Sequence, residues 1–230
     1  PMTQTALIVG AGSGLSAALA RCFAQEGFTL ALAARNRDKL AELRAETGAH
    51  LYGCDATVPE QVAQLFQSVA ADLGAPDVVI YNPSLRVTGP LVDLDPAEVE
   101  RVLAVTAFGA FLVGQQAARH MLAAGGGAIL FTGASAGVKG YPRSAPFAMG
   151  KFALRGLCQS MARELAPQNI HVAHFVIDGI IRSATRGAPF DDPERTLDPM
   201  EIAKTYLAIA HQHPSAWTWE MELRPASETF

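Results

Sequence analysis

The stretch TALIVGAGSGLSAALARCFAQE, from Thr5 to Glu26, decides the fold. TALIV has the composition of a buried strand, GAGSGLS (Gly10 to Ser16) follows it at once, and LSAALARCFAQE continues with a helical period. Glycines in such a loop permit unusual backbone angles and let a phosphate approach the main chain, where amides at a helix N-terminus meet its charge. Strand, glycine loop and helix in immediate succession are the context that a dinucleotide cradle requires. The loop can be parsed as Gly12, Gly14 and Ala17, or in a wider spacing as Gly10, Gly14 and Ser16. The cradle residues are Gly10, Gly12, Ser13, Gly14 and Leu15.

Outward from this stretch the same alternation repeats. FTLALA, AHLYGC, DVVIY, AILFTG, IHVAHFVI and WEMEL read as further strands. RDKLAELRAE, PEQVAQLFQSVAADL, a long segment from Pro96 to Leu122 and the segment from about Phe147 onward read as helices. Short Val/Ile/Leu-rich runs alternating with helical segments imply an α/β fold, a doubly wound parallel sheet covered on both faces in three layers. Ligands are then expected beyond the carboxyl ends of the strands. The chain of 230 residues is read as a single domain over 1–230. Its main irregular stretch, about 180–199, reads as a substrate lid or as a plain surface loop.

Half of the residues are hydrophobic, yet there is no uncharged apolar run of about eighteen residues, and PMTQTALIVG lacks a secretory pattern. A cytoplasmic protein without membrane contact is expected. Cys22, Cys54 and Cys158 are odd in number and scattered, which fits reduced thiols rather than a disulfide framework or zinc site. A formal charge of -4 without a Lys/Arg block carries no footprint for nucleic acid. Small molecules and other protein chains remain as partners.

The second predicted strand ends in Ala33, Ala34, Arg35, Asn36 and Arg37, where a dinucleotide fold holds the adenosine ribose. A carboxylate there would accept from the 2'-hydroxyl of NAD, whereas an arginine can hold the extra phosphate of NADP. No acid stands at Ala34 and Arg35 follows it, so the expected cofactor is NADP(H) in preference to NAD(H). Arg35 and Arg37 as solvated residues at a helix start is the alternative.

The wider glycine spacing, Asp55 after the third strand, Asn82 after the fourth and Lys151 on a late helix together resemble the short-chain dehydrogenase/reductase family, over nearly the whole chain. The resemblance implies a single Rossmann-fold domain, usually a dimer or tetramer, that passes hydride between nicotinamide and a carbonyl or alcohol. It also implies that Asp55 and Ala56 meet the adenine, that Asn82 opens a turn with Pro83 and Ser84 lining the cofactor, and that Gly179 and Ile180 lie beside the nicotinamide. Lys151 would hold the nicotinamide ribose hydroxyls, and the helices from Pro96 to Leu122 and after Phe147 would form a four-helix contact between subunits.

The family's catalytic set is Asn, Ser, Tyr and Lys, and only Lys151 matches. The tyrosine position four residues earlier is Phe147, the serine position thirteen residues before that is Ala134, and the asparagine position falls on Thr106. YNPS replaces an NNAG-like turn, Asp178 and Gly179 replace Pro-Gly, and Ser16 replaces the third loop glycine as a small residue that packing tolerates. Phenylalanine has no proton to give, and loss of a positioned acid removes about 100 to 10,000-fold in rate.

Candidate substitutes are few. Ser135 follows the vacant serine position, although alternation along an extended segment turns it to the other side. Tyr141 lies on the next loop. Asp178 reads as a base near the nicotinamide or as a turn former before Gly179. His171 and His174, three apart on a strand, point to opposite faces and make no metal pair. His211 and His213 close a predicted helix as caps, and Trp217 and Trp219 read as core or subunit contact. The expected function is an atypical NADP(H)-dependent oxidoreductase acting on a small organic carbonyl, alcohol or related substrate. The alternative is a catalytically degenerate NADP(H)-binding sensor or structural subunit. The features separating them are Phe147, Ala134 and Thr106 on one side and Lys151 with its cradle on the other.

Overall fold

The computed structural model describes residues 3–183 and 195–228. Seven strands form one sheet: β1 (Thr5–Val9), β2 (Thr29–Ala34), β3 (His50–Gly53), β4 (Val78–Tyr81), β5 (Gly127–Thr132), β6 (Ile170–Ile177) and β7 (Glu220–Leu223). Their order is β3-β2-β1-β4-β5-β6-β7, with every pairing parallel. The reversal of direction between β1 and β4 opens the crevice at which such sheets bind ligands.

The helices are α1 (Leu15–Gln25), α2 (Ala41–Thr47), α3 (Pro59–Leu73), α4 (Pro96–Leu103), α5 (Gly109–Ala124), α6 (Ala145–Leu165) and α7 (Pro199–Ala210). One core lies between the sheet and α1, α2 and α7, around Ile8, Phe23, Leu32, Phe175 and Tyr206. The other lies between the sheet and α3, α5 and α6, around Val9, Phe66, Tyr81, Phe131 and Leu154. Alternate residues of the inner strands enter opposite cores, so those strands are mostly apolar while the edge strands β3 and β7 carry polar residues, and each fully buried Leu, Ile, Val or Phe contributes about 1.5–3 kcal/mol.

Two helices begin at the same signal. Asp95 accepts from the Ala97 amide and Asp198 from the Met200 amide, each followed by proline at the first helical position.

The long helix expected from Pro96 to Leu122 is not continuous. A π-helical stretch at Ala104–Phe108 separates α4 from α5. The wider turn disturbs the backbone ladder, and the buried Tyr81 hydroxyl donates to the Val105 carbonyl within it. Gly109 permits this approach, because a Cβ there would lie 2.5 Å from the Tyr81 oxygen. The helix expected after Phe147 begins earlier, at Ala145, with Phe147 inside its first turn. RDKLAELRAE divides into a 3-10 turn at Asp38–Leu40 and the short α2.

His211 caps α7 and stacks on Phe28, but His213 lies outside that helix and accepts from the Ser215 amide at the start of the next 3-10 turn. His171 stacks on Trp217 at 4.8 Å between ring centroids, whereas His174 turns toward Glu220, so the two imidazoles do diverge. The three cysteines are buried and free. No described helix is long and apolar enough to cross a membrane. Most of the expected lid, residues 184–194, lies outside the described residues. Its flanks are joined by a bridge between Ile181 and Leu197.

Candidate active site and cofactor cradle

The loop after β1 is anchored at its base and open at its rim. The amides of Gly10 and Ala11 both donate to the Ala33 carbonyl of β2 at 3.0 Å. The next amides, on Gly12, Ser13, Gly14 and Leu15, have no backbone acceptor among the described residues. A Cβ added at Gly12 or Gly14 would meet nothing within 4 Å. The first turn of α1 carries no acid, and no side chain caps it. Free amides, open space and the positive end of a helix dipole converge there, which suits a pyrophosphate.

Gly10 has a different duty. Its φ of +83° lies in the region that favours glycine, and a Cβ would stand 2.7 Å from the Pro83 nitrogen. The YNPS turn after β4 therefore packs directly on the cradle, with Pro83 filling the space that Gly10 leaves. Ser16, expected only to be small enough for packing, does more. Its hydroxyl donates to the Gly10 carbonyl at 2.8 Å and accepts from the Asn82 amide at 2.6 Å. Asn82 thus braces the loop through Ser16, while Ser84 stays exposed.

Arg35 is exposed at the end of β2, and its charge helps to hold down the pKa of Asp55. The larger cause is the Thr57 amide donating to the Asp55 carboxylate at 2.9 Å, joined by the Thr57 hydroxyl at 2.7 Å. Ala56 faces Gly109, its carbonyl 2.8 Å from where a Cβ would stand. Asn36 accepts from the Asp38 amide, and Arg37 passes over Gly53 toward a 600 Å³ recess that also takes in Arg44, His50 and Tyr52 at the sheet edge.

At the other half of the crevice, α6 gathers the expected catalytic positions. Lys151 is 2 % exposed, and its ammonium donates to the Thr132 carbonyl at the end of β5, at 2.8 Å. Burial pulls its pKa down to about 8. The half-buried Phe147 ring has this Nζ 5.7 Å from its centroid. Thr106 is fully buried in the π stretch against Gly150, and its hydroxyl has no hydrogen-bond partner among the described residues. Ala134 continues from β5 in extended backbone and leads into a 3-10 turn at Ser135–Gly137 that packs on Lys151. Since Ser135 opens a turn, the strand alternation expected to turn it away does not apply there.

Asp178 is not poised as a base. Its carboxylate is buried in an ion pair with Arg224 at 2.7 Å, and Lys139 lies 3.7 Å away. A carboxylate already engaged by two cations is occupied. Gly179 has φ +149° and packs against Pro225, while Ile180 is exposed. Tyr141 is exposed beside Lys139. Beneath the site His174 is fully buried, with Nδ1 3.0 Å from Glu220, which the Arg155 guanidinium grips at 2.6 and 2.8 Å. Burial lowers the His174 pKa to about 4, so the ring is neutral at pH 7. The Tyr206 hydroxyl shares a 2.9 Å hydrogen bond with Thr132 and is buried, with its pKa raised by that burial.

Residues 4–193 match the short chain dehydrogenase family. The chain belongs to that family. It is 37% identical to a short-chain dehydrogenase from Rhodopseudomonas palustris, over 98% of this chain and 100% of that one, with a TM-score of 0.85. A metagenomic short-chain oxidoreductase solved in complex with NADP is 28% identical, over 97% of each chain, also with a TM-score of 0.85. The cis-4-hydroxycyclohexanecarboxylate dehydrogenase of Sinomonas cyclohexanicum is 33% identical over 174 residues, which are 74% of this chain and 70% of that protein. The short-chain dehydrogenase family is thus the frame in which these residues act.

Three site residues carry no signal that sequence reasoning used. Arg86, from the loop after β4, stands over the Phe147 ring at 5.6 Å. Arg224, just past β7, and Lys139, just past the Ser135 turn, take up Asp178. Arg86 is four residues beyond Asn82, and its position in the site turn was the available clue.

Proposed function

We propose that this chain is an atypical NADP(H)-dependent oxidoreductase that transfers hydride to or from a small organic carbonyl, alcohol or related substrate. The observation that carries the reading is the open cradle at Gly12 and Gly14, with its free amides and the uncapped N-terminus of α1. Gly12, Ser13, Gly14 and Leu15 would hold the pyrophosphate, Arg35 a 2'-phosphate, and Asp55 with Ala56 the adenine. Asn82, Pro83 and Ser84 would wall the cofactor, and Gly179 and Ile180 would lie beside the nicotinamide. Bound NADP(H) supplies the hydride chemistry.

What the chain itself adds on the substrate side is reduced. Phe147 and Ala134 offer neither an acid nor an oxyanion donor, and the Thr106 hydroxyl is sealed in the π stretch. Lys151 would hold the nicotinamide ribose hydroxyls. Its ammonium also carries exchangeable protons beside Phe147, with a pKa of about 8 that suits proton transfer near neutral pH. We assign its ammonium as the altered proton donor, with the Ser135 hydroxyl, on the turn that packs against Lys151, as the weaker alternative.

The vacant positions favour a second reading, a catalytically degenerate NADP(H)-binding sensor or structural subunit. Fluorescence titration with NADPH and, separately, NADH tests the common ground. Micromolar NADPH binding with much weaker NADH binding is expected, and binding of neither would refute both readings. NADPH oxidation over a panel of aldehydes, ketones and enones then separates them: wild-type turnover lost in Lys151→Ala supports the enzyme, and no turnover supports the scaffold.

We also propose that the chain self-associates as a dimer or tetramer through α4, α5 and α6. A groove of about 590 Å³ on that face takes in Leu103, Phe108, Phe111 and Leu157, with Phe108 and Phe111 stacked and both partly exposed. Exposed aromatic surface of this kind fits a second copy. Light scattering at micromolar concentration should show at least a dimer, and Phe108→Glu with Phe111→Glu should give a monomer.

A further inference from the structure

The surroundings of the Phe147 ring are cationic where the family resemblance would have placed a phenol. Two positive groups lie within 6 Å of the same ring centroid, Lys151 Nζ at 5.7 Å and the Arg86 guanidinium carbon at 5.6 Å. Lys151 is enclosed, but Arg86, in the loop after β4, is exposed over the Phe147 ring, and no carboxylate among the described residues pairs with it.

That loop is tied in place, because the Gly89 amide donates to the Arg143 carbonyl at 2.9 Å, just before α6. Arg143 brings a further exposed cation to the same junction, also without a carboxylate partner among the described residues. Asp178, the carboxylate at the end of β6, offers them no compensation, since it is already matched by Arg224 and Lys139. Like charges around one partly apolar ring repel, and an anion entering between them relieves that repulsion.

The ring also suits Arg86 to recognition. An aromatic face attracts a guanidinium through its quadrupole while leaving planar N–H donors for a ligand, and that fork matches a carboxylate in two parallel hydrogen bonds.

We propose that Arg86 is a specificity-determining residue and that the substrate of this site is a carbonyl or hydroxy compound bearing a carboxylate. Arg86 holds the carboxylate over Phe147 and so fixes which end of the molecule faces the nicotinamide pocket. The proposal rests on the reading of this crevice as an oxidoreductase site.

The test compares two probes of the same shape and different charge, 4-carboxybenzaldehyde and methyl 4-formylbenzoate. Their dissociation constants on the NADPH-loaded protein are measured by saturation-transfer NMR titration, which needs no turnover. The carboxylate probe should bind about tenfold or more tightly than the ester, and added salt should weaken only the carboxylate. Arg86→Gln should abolish the advantage and Arg86→Lys should keep part of it, with NADPH affinity unchanged in both. Equal affinity of the two probes, absence of carboxylate binding at about 10 mM, or an advantage that survives in Arg86→Gln overturns the proposal. Failure of NADPH itself to bind would refute the oxidoreductase reading instead, and the same probe comparison on the unloaded protein would then decide the anion pocket separately.

Discussion

The two halves of the crevice differ in what they offer a ligand. On the β1, β2 and β3 side the features of a dinucleotide site persist: free amides, absent Cβ atoms and an uncapped helix end. On the β4, β5 and α6 side the scaffold persists, but Phe147, Ala134 and Thr106 stand where functional side chains are expected. Pyrophosphate is held chiefly by backbone and space, which side-chain replacement leaves untouched. Proton transfer depends on particular side-chain atoms, which a single substitution removes. A chain can thus lose one function of a shared fold and keep the other at little structural cost.

The largest expected effect tests whether the catalytic half lacks only those atoms. The double variant Phe147→Tyr with Ala134→Ser should raise NADPH-dependent carbonyl reduction by about 100 to 10,000-fold, checked by steady-state kinetics on the aldehyde and ketone panel. A gain confined to this variant favours the degenerate reading of the wild type. Absence of any gain would mean that the π stretch and the Lys151 contact to Thr132 hold α6 in a geometry the restored groups cannot use.

The next effect separates two duties within the glycine loop. Gly10→Ala places a Cβ in left-handed backbone and against Pro83, and should cost about 3 kcal/mol or more in a urea melt. Gly12→Ala meets no protein atom. Its melt should stay within about 0.5 kcal/mol of wild type, while NADPH affinity falls because the added methyl occupies ligand space. If both variants lost stability equally, the openness of the cradle would be wrong.

Titration compares the halves by a different route, since buried Lys151 and His174 sit on the catalytic side. Folded Lys151 gives up its proton at about 8, against 10.5 in the unfolded chain. Between those values the unfolded chain holds more protons, so stability rises with pH, by up to about 3 kcal/mol relative to Lys151→Met. His174 runs at the acid end. Below 6.5 the unfolded chain takes up a proton that the folded ring refuses until about 4, so stability falls as pH drops through that window. Chemical melts of wild type and His174→Gln from pH 4 to 7 should show a slope that the variant loses, worth up to about 3 kcal/mol. A slope retained in the variant would assign acid sensitivity to other groups.

The parallel sheet was legible because β1, β2, β4, β5 and β6 are largely buried on both faces, which leaves a short apolar signature in TALIV or IHVAHFVI. The cradle was legible because its chemistry is local, seven consecutive residues whose function follows from glycine and a helix start. Local reasoning failed wherever a partner came from far along the chain. Asp178 loses its freedom to Arg224, 46 residues on, and Phe147 acquires a second cation from Arg86 on another loop. The π stretch was hidden because AVTAF has ordinary helical composition. What stabilises it includes Tyr81, 24 residues earlier.

The smallest expected effect concerns the residue that joins the two halves. Ser16 stands where the family pattern has glycine, and its hydroxyl sits between the Gly10 carbonyl and the Asn82 amide, linking the loop after β1 to the turn after β4. Ser16→Gly restores the family residue but removes both hydrogen bonds at a position 2 % exposed. Two partly buried polar groups lose their partner, which costs about 1–2 kcal/mol, less than two isolated bonds would suggest because water reaches the loop rim. The same change frees the Asn82 amide to turn toward the crevice. The urea melt should therefore shift down while NADPH affinity holds or improves. If stability and affinity instead fall together, Ser16 is a structural part of the cradle itself, and the cofactor half depends on side-chain chemistry as the catalytic half does.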